Sequence, residues 1–128
     1  MRIASLDHLV LTVGNPERTV AFYTRVLGME CRTFGAGRLA LHFGEQKINL
    51  HQAGVVVDKN VRHAALGSAD LCFLTEASMD EILSHLAECG VAVIQGPVRR
   101  TGAQGAIDSV YVYDPDENLL EIARRLEE

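Results

Sequence analysis

Four polar side chains in this 128-residue chain, His8, His51, Asp70 and Glu121, have the types and the placement to do chemistry together. Two imidazoles and two carboxylates form a nitrogen and oxygen donor set that suits Zn, Ni, Mn or Fe(II) better than Ca or Mg. Three of them, His8, His51 and Glu121, make a 2-His-1-carboxylate set with room left for substrate oxygens. Glu121 raises the sharpest question, because it interrupts the apolar run Leu119, Leu120, Ile122 and Ala123. An ionised carboxylate drawn out of water in such company costs about several kcal/mol unless a cation or hydrogen-bond donors compensate it.

The placement comes from an internal repeat. Displaced by 62 positions, the segment starting at His8 lies without a gap on the segment starting at Asp70, with Leu9 on Leu71, Val20 on Ile82 and Gly28 on Gly90. Each copy opens with an alternating strand, Leu9, Leu11 and Val13 in the first and Leu71 and Phe73 in the second. Each strand then turns into a helix, capped by Asn15 before Pro16 in one copy and by the box Ser78 with Glu81 in the other. The helices carry the stripes Val20, Tyr23, Val26, Leu27 and Ile82, Leu83, Leu86, Cys89, and a glycine suited to a left-handed exit ends each one. Short β-prone stretches follow: "ECRTF", "RLALHF" and "KINLH", then "VAVI", "SVYVY" and "NLLEIA". A displacement of 70 lays "LHFGEQKINLH" on "YVYDPDENLLE" and sets His51 on Glu121.

The unit is therefore βαβββ, written twice. It predicts an α+β fold in which two modules share one cupped mixed sheet, as a single domain over residues 1–128. The first module ends near residue 52, a linker occupies about 53–67, and the second module runs over 68–128. In the linker, Val55, Val56 and Val57 are expected to cover an exposed edge. Strand alternation groups His8 with Leu6, Val10 and Thr12, Asp70 with Ser68, Cys72 and Leu74, and Glu121 with Leu119 and Ala123. If the cup closes, the four candidate ligands converge at its floor.

Composition narrows the partners. A formal net charge of −5 opposes phosphate-backbone binding, so nucleic acid is not expected as a partner. No apolar run approaches the roughly 18 residues needed to span a bilayer, and the first residues lack the features of a secretory signal, so a cytoplasmic protein without membrane attachment is expected. Cys31, Cys72 and Cys89 show no CxxC spacing and read as reduced thiols. Arg99 and Arg100, between Pro97 and the glycines at 102 and 105, are placed to hold an anionic small-molecule substrate from a mobile loop.

"LDHLVLTVGNPERTVAFYTRVLGME" and "GAIDSVYVYDPDENLLEI" resemble the opening and closing signatures of the vicinal oxygen chelate superfamily. That group includes glyoxalase I, extradiol dioxygenases, fosfomycin resistance enzymes and bleomycin-binding proteins. "FGEQKINLHQAG", "GSADLCFLTE" and "GPVRRTGAQG" further resemble its small proteins related to glyoxalase domain-containing protein 5. The resemblance implies the glyoxalase/bleomycin resistance/dihydroxybiphenyl dioxygenase-like fold and a bound divalent metal ion. It also implies a homodimer that completes its cups by exchanging modules, and ligand positions at His8, His51, Asp70 and Glu121. Two departures stand out against glyoxalase I: His51 replaces a carboxylate and Asp70 replaces a histidine. Glu117 stands where glycine is common, with Pro115 presetting the turn and Asn118 tolerating a left-handed conformation. The reaction implied first is that of a glyoxalase-like lyase or isomerase, with Glu121 moving a proton. An Fe(II) or Mn(II) extradiol-type dioxygenase and a metal-free, bleomycin-resistance-like binding protein are the alternatives.

Overall fold

The computed structural model describes residues 1–126, and the chain divides into two compact units, Met1–Leu66 and a second that begins at Gly67. The first unit runs β1 (His8–Val13), α1 (Pro16–Arg25), β2 (Glu30–Phe34), β3 (Arg38–Phe43) and β4 (Gln46–Gln52). The second runs β5 (Asp70–Leu74), α2 (Met79–Glu88), β6 (Gln95–Gly102), β7 (Gly105–Tyr113) and β8 (Leu119–Arg125). Each unit holds one four-stranded mixed sheet, ordered β1-β4-β3-β2 and β5-β8-β7-β6. The first strand of each sheet pairs in parallel with the last, and the remaining pairs are antiparallel. The fold is α+β, built from βαβββ twice.

Local chemistry explains both helix starts. The Asn15 side chain accepts from the Arg18 amide with Pro16 in the first turn, and Ser78 with Glu81 closes a full capping box. At the far ends the chain turns out through Gly28 and Gly90, at φ of 68° and 70°, a region that costs side-chain-bearing residues free energy. Each helix buries its stripe, with Tyr23 and Val26 in one and Ile82 and Leu86 in the other. Leu11, Val13, Leu41 and Ile48 complete the first core, and Val110, Val112, Leu120 and Ile122 the second. Each such side chain contributes about 1.5–3 kcal/mol when fully withdrawn from water. Among the described residues, no helix is long and apolar enough to cross a membrane.

Two expectations need correction. "VAVI" is not a strand: the Val91 amide bonds to the Leu86 carbonyl and keeps the chain in the helix exit, so β6 begins only at Gln95. Val55 and Val56 are exposed rather than laid over an edge. In the turn between β7 and β8 the left-handed residue is Glu117, at φ 66°, and the Asn118 side chain is buried. Glu117→Gly is accordingly expected to stabilise the chain by about 0.5–1 kcal/mol, since relief of the left-handed strain outweighs the added freedom of the unfolded glycine. Urea unfolding measures the change, and an unaltered midpoint would remove the strain from the account.

Candidate metal and substrate site

Glu121 lies in the middle of β8, opposite Cys72 of β5 on one side and Tyr111 of β7 on the other. Directly opposed residues share a face, so Cys72, Glu121 and Tyr111 form one row. Asp70 stands on the same face two residues along β5, opposite Leu119 and about 7 Å from the Glu121 row. Ser109, fully buried on β7, donates its hydroxyl hydrogen to Glu121 Oε2. Part of the desolvation penalty of this carboxylate is thereby met within the unit. Partial burial, then the Glu121 and Asp70 charges and a hydrogen bond to Glu121, push the Cys72 thiol up to about 11.

The matching face of the first unit carries His8, Val10 and Thr12 on β1 and Lys47, Asn49 and His51 on β4. The His8 side chain is 43% exposed, and the Asp7 carboxylate accepts from its Nδ1 at 2.8 Å, which leaves the ring lone pair on Nε2. His51 is buried at 8%, with its Nδ1 3.2 Å from the Asn60 side-chain oxygen.

The ladder corrects the match that set His51 on Glu121. His8 faces Lys47 as Asp70 faces Leu119, and two residues further along β8 comes Glu121, whereas two residues further along β4 comes Asn49. Asn49 is the counterpart of Glu121; His51, opposite Thr12, is displaced by four residues from the rung of His8, about 13 Å. Among the described residues of the chain, no three His, Cys, Asp or Glu side chains gather closely enough to hold one ion.

Asn49 was missed by the sequence reading, and a displacement of 72 rather than 70 would have found it. It is buried at 4%, and among the described residues its Oδ1 has no hydrogen-bond partner. An unpaired buried acceptor costs about 1–3 kcal/mol. Asn49→Leu is therefore expected to raise the stability of the chain by about 1 kcal/mol, as read by thermal unfolding. A lower melting temperature would show that the amide is satisfied in solution.

Arg99 and Arg100 lie in strand β6, not in a loop, and they point to opposite faces. Arg100 pairs with Ile107 and so shares the face of Glu121, while Arg99 pairs with Asp108 on the other face. A cavity of 390 Å³ opens beside Glu121 and is lined by Arg100 and Arg125 but not by Arg99.

Comparison with known proteins agrees with this architecture. The chain is 46% identical over 124 residues to the virulence protein STM3117 of Salmonella typhimurium, covering 97% of this chain and 86% of that one. It is 50% identical over 123 residues to the glyoxalase domain-containing protein RDO1 of Mycosarcoma maydis, covering 96% and 69%. A solved integron cassette protein from the mobile metagenome of V. cholerae superposes with a TM-score of 0.97 at 51% identity, over 98% of both chains. With residues 5–122 matching its family model, the chain belongs to the Glyoxalase/Bleomycin resistance protein/Dioxygenase superfamily.

Proposed function

We propose that the chain is a metal-dependent, glyoxalase-like lyase or isomerase acting on a small substrate that presents two neighbouring oxygens, as a cytoplasmic homodimer. One observation carries the reading: Glu121 is a carboxylate on a strand face, beside a cavity, with a buried serine holding one of its oxygens. The donor chemistry fits a divalent ion. Asp70 and Glu121 would supply two oxygens, His8 an imidazole whose lone pair is set by Asp7, and His51 would stand further along its strand to contact the substrate. A divalent ion bound there would polarise a substrate carbonyl and stabilise negative charge developing on its oxygens. The protein's own part is proton movement: Ser109 engages Oε2, so Oε1 of Glu121 takes the proton from the carbon beside the carbonyl and returns it to the neighbouring one. The three free cysteines accord with a reducing compartment.

Metal analysis of the purified protein, run beside His8→Ala and Glu121→Ala and followed by a panel of metal-dependent reactions, tests the reading. About one divalent ion per chain is expected in the parent and markedly less in both variants. Equal metal content in all three overturns the ligand assignment. Oxygen uptake with catechols after anaerobic iron loading would replace the isomerase with an oxygenase, and a metal-free parent that still binds small ligands would make the chain a binding protein.

A further inference from the structure

The cavity beside Glu121 has a second pole. β6, β7 and β8 bring Arg100, Ile107 and Arg125 into one cross-strand row, so the two arginines flank Ile107 on a single face, about 10 Å apart at the backbone. Both line the cavity, together with the hydrophobic Leu74 and Ile107 and the turn from Gly102 to Gly105. Arg100 is held in place: its Nε donates to the Tyr111 hydroxyl at 3.0 Å, and its Nη1 lies 3.4 Å from the Arg99 carbonyl oxygen. Among the described residues, neither Arg100 nor Arg125 has a carboxylate within ion-pair distance. Among the described residues, the only acidic side chain in the lining is Glu121, which stands four residues before Arg125 on β8, about 13 Å along the strand. A chain of net charge −5 thus keeps two guanidiniums against one carboxylate in a partly enclosed space.

We propose that this cavity takes the oxyanion group, carboxylate or phosphate, of a small substrate, with Arg100 and Arg125 as the residues that select it. The inference rests on the function proposed above for the Glu121 end, and it adds the substrate class: an anion whose charged group is separated by a few atoms from the oxygens that react. A planar guanidinium fixed on one edge offers its other donors to an oxyanion with little further ordering, which favours Arg over Lys at position 100. The hydrophobic Leu74, opposite Ala123 and so midway between Glu121 and Arg125, fits a short carbon link rather than a second charge.

Titration of metal-free protein with inorganic phosphate at low ionic strength, followed by calorimetry, reads the arginine pole alone. Saturable binding is expected in the parent, weakened at least tenfold in Arg125→Gln and in Arg100→Gln, and only partly restored by Arg100→Lys. Glu121→Gln should bind phosphate as well as the parent or better, because a negative neighbour is removed. Phosphate binding that is absent from the parent, or equal in the parent and both glutamine variants, overturns the inference. Arg125→Gln keeps the test decisive should Arg100→Gln fail to fold. Divalent-ion binding measured on the same preparations judges the Glu121 end separately: metal affinity unchanged in Glu121→Gln beside arginine-dependent phosphate binding overturns the ligand assignment and leaves this inference standing, whereas metal affinity lost in Glu121→Gln beside phosphate binding indifferent to both arginines overturns this inference alone.

Discussion

Glu121→Gln is expected to lower kcat/KM by on the order of 10³ and to weaken divalent-ion binding, with the fold intact. Glutamine has the same shape and still offers an oxygen to the Ser109 hydroxyl, so the buried donor keeps its partner and only the charge is lost. Cys72 supplies a reporter that needs no substrate. At pH 8 a thiol with a pKa of about 11 is roughly 0.1% thiolate, so Cys72 should alkylate slowly although it is exposed. Removing the Glu121 charge takes away a cause that raises this pKa, so with both proteins freed of metal iodoacetamide should label Cys72 faster in Glu121→Gln at the same pH, and its rate should rise over a lower pH range. Unchanged labelling together with unchanged metal content would mean that Glu121 neither sits against Cys72 nor holds an ion.

How much of this site was legible in the sequence follows from which interactions are local. Helix starts depend on residues three apart, and Asn15 and Ser78 with Glu81 act where their order in the chain predicts. Strand faces depend on a period of two, so Glu121 was placed among the right neighbours. Register between strands depends on turn length, and there the reading slipped. The β3–β4 turn closes with Phe43 opposite Gln46, whereas β7 and β8 leave five residues between Tyr113 and Leu119. An ungapped displacement cannot absorb that difference. Its error at the last strand was two residues, and a slip of two preserves the face of a strand while moving a side chain about 7 Å along it. That is why His51 was expected on the correct face yet took the place that belongs to Asn49. The mobile loop expected at Arg99 and Arg100 gives way for the complementary reason: glycines and a proline signal a loop, but antiparallel pairing with β7 draws "VRRTG" into a strand and separates the two arginines onto opposite faces.

The largest stability effect is expected from Asn118, which lies in the turn that fixes the register carrying Asp70 and Glu121. Asn118 is buried at 1%, and its Oδ1 accepts from the Ala69 amide at 2.9 Å, one residue before β5. Its own amide nitrogen and its Nδ2 donate to Asp114 Oδ1 and Oδ2, each at 2.9 Å, and Asp114 Oδ1 also accepts from the Asp116 amide. The backbone adds Leu119 N–H to the Ala69 carbonyl. One side chain therefore ties the β7–β8 turn to the entry of β5, which is the pairing that sets Asp70 two residues from Glu121. Asn118→Ala removes the acceptor of the Ala69 amide and one hydrogen-bond donor to the buried Asp114 carboxylate. Two such losses, one of them to a charged group, come to about 3 kcal/mol, or a melting temperature lower by roughly 10 °C. Because Asp114 and Asn118 act through each other, adding Asp114→Ala to Asn118→Ala should cost clearly less than the sum of the two single changes. Urea unfolding of the three variants measures this coupling, and strictly additive losses would show that the two side chains do not form one network.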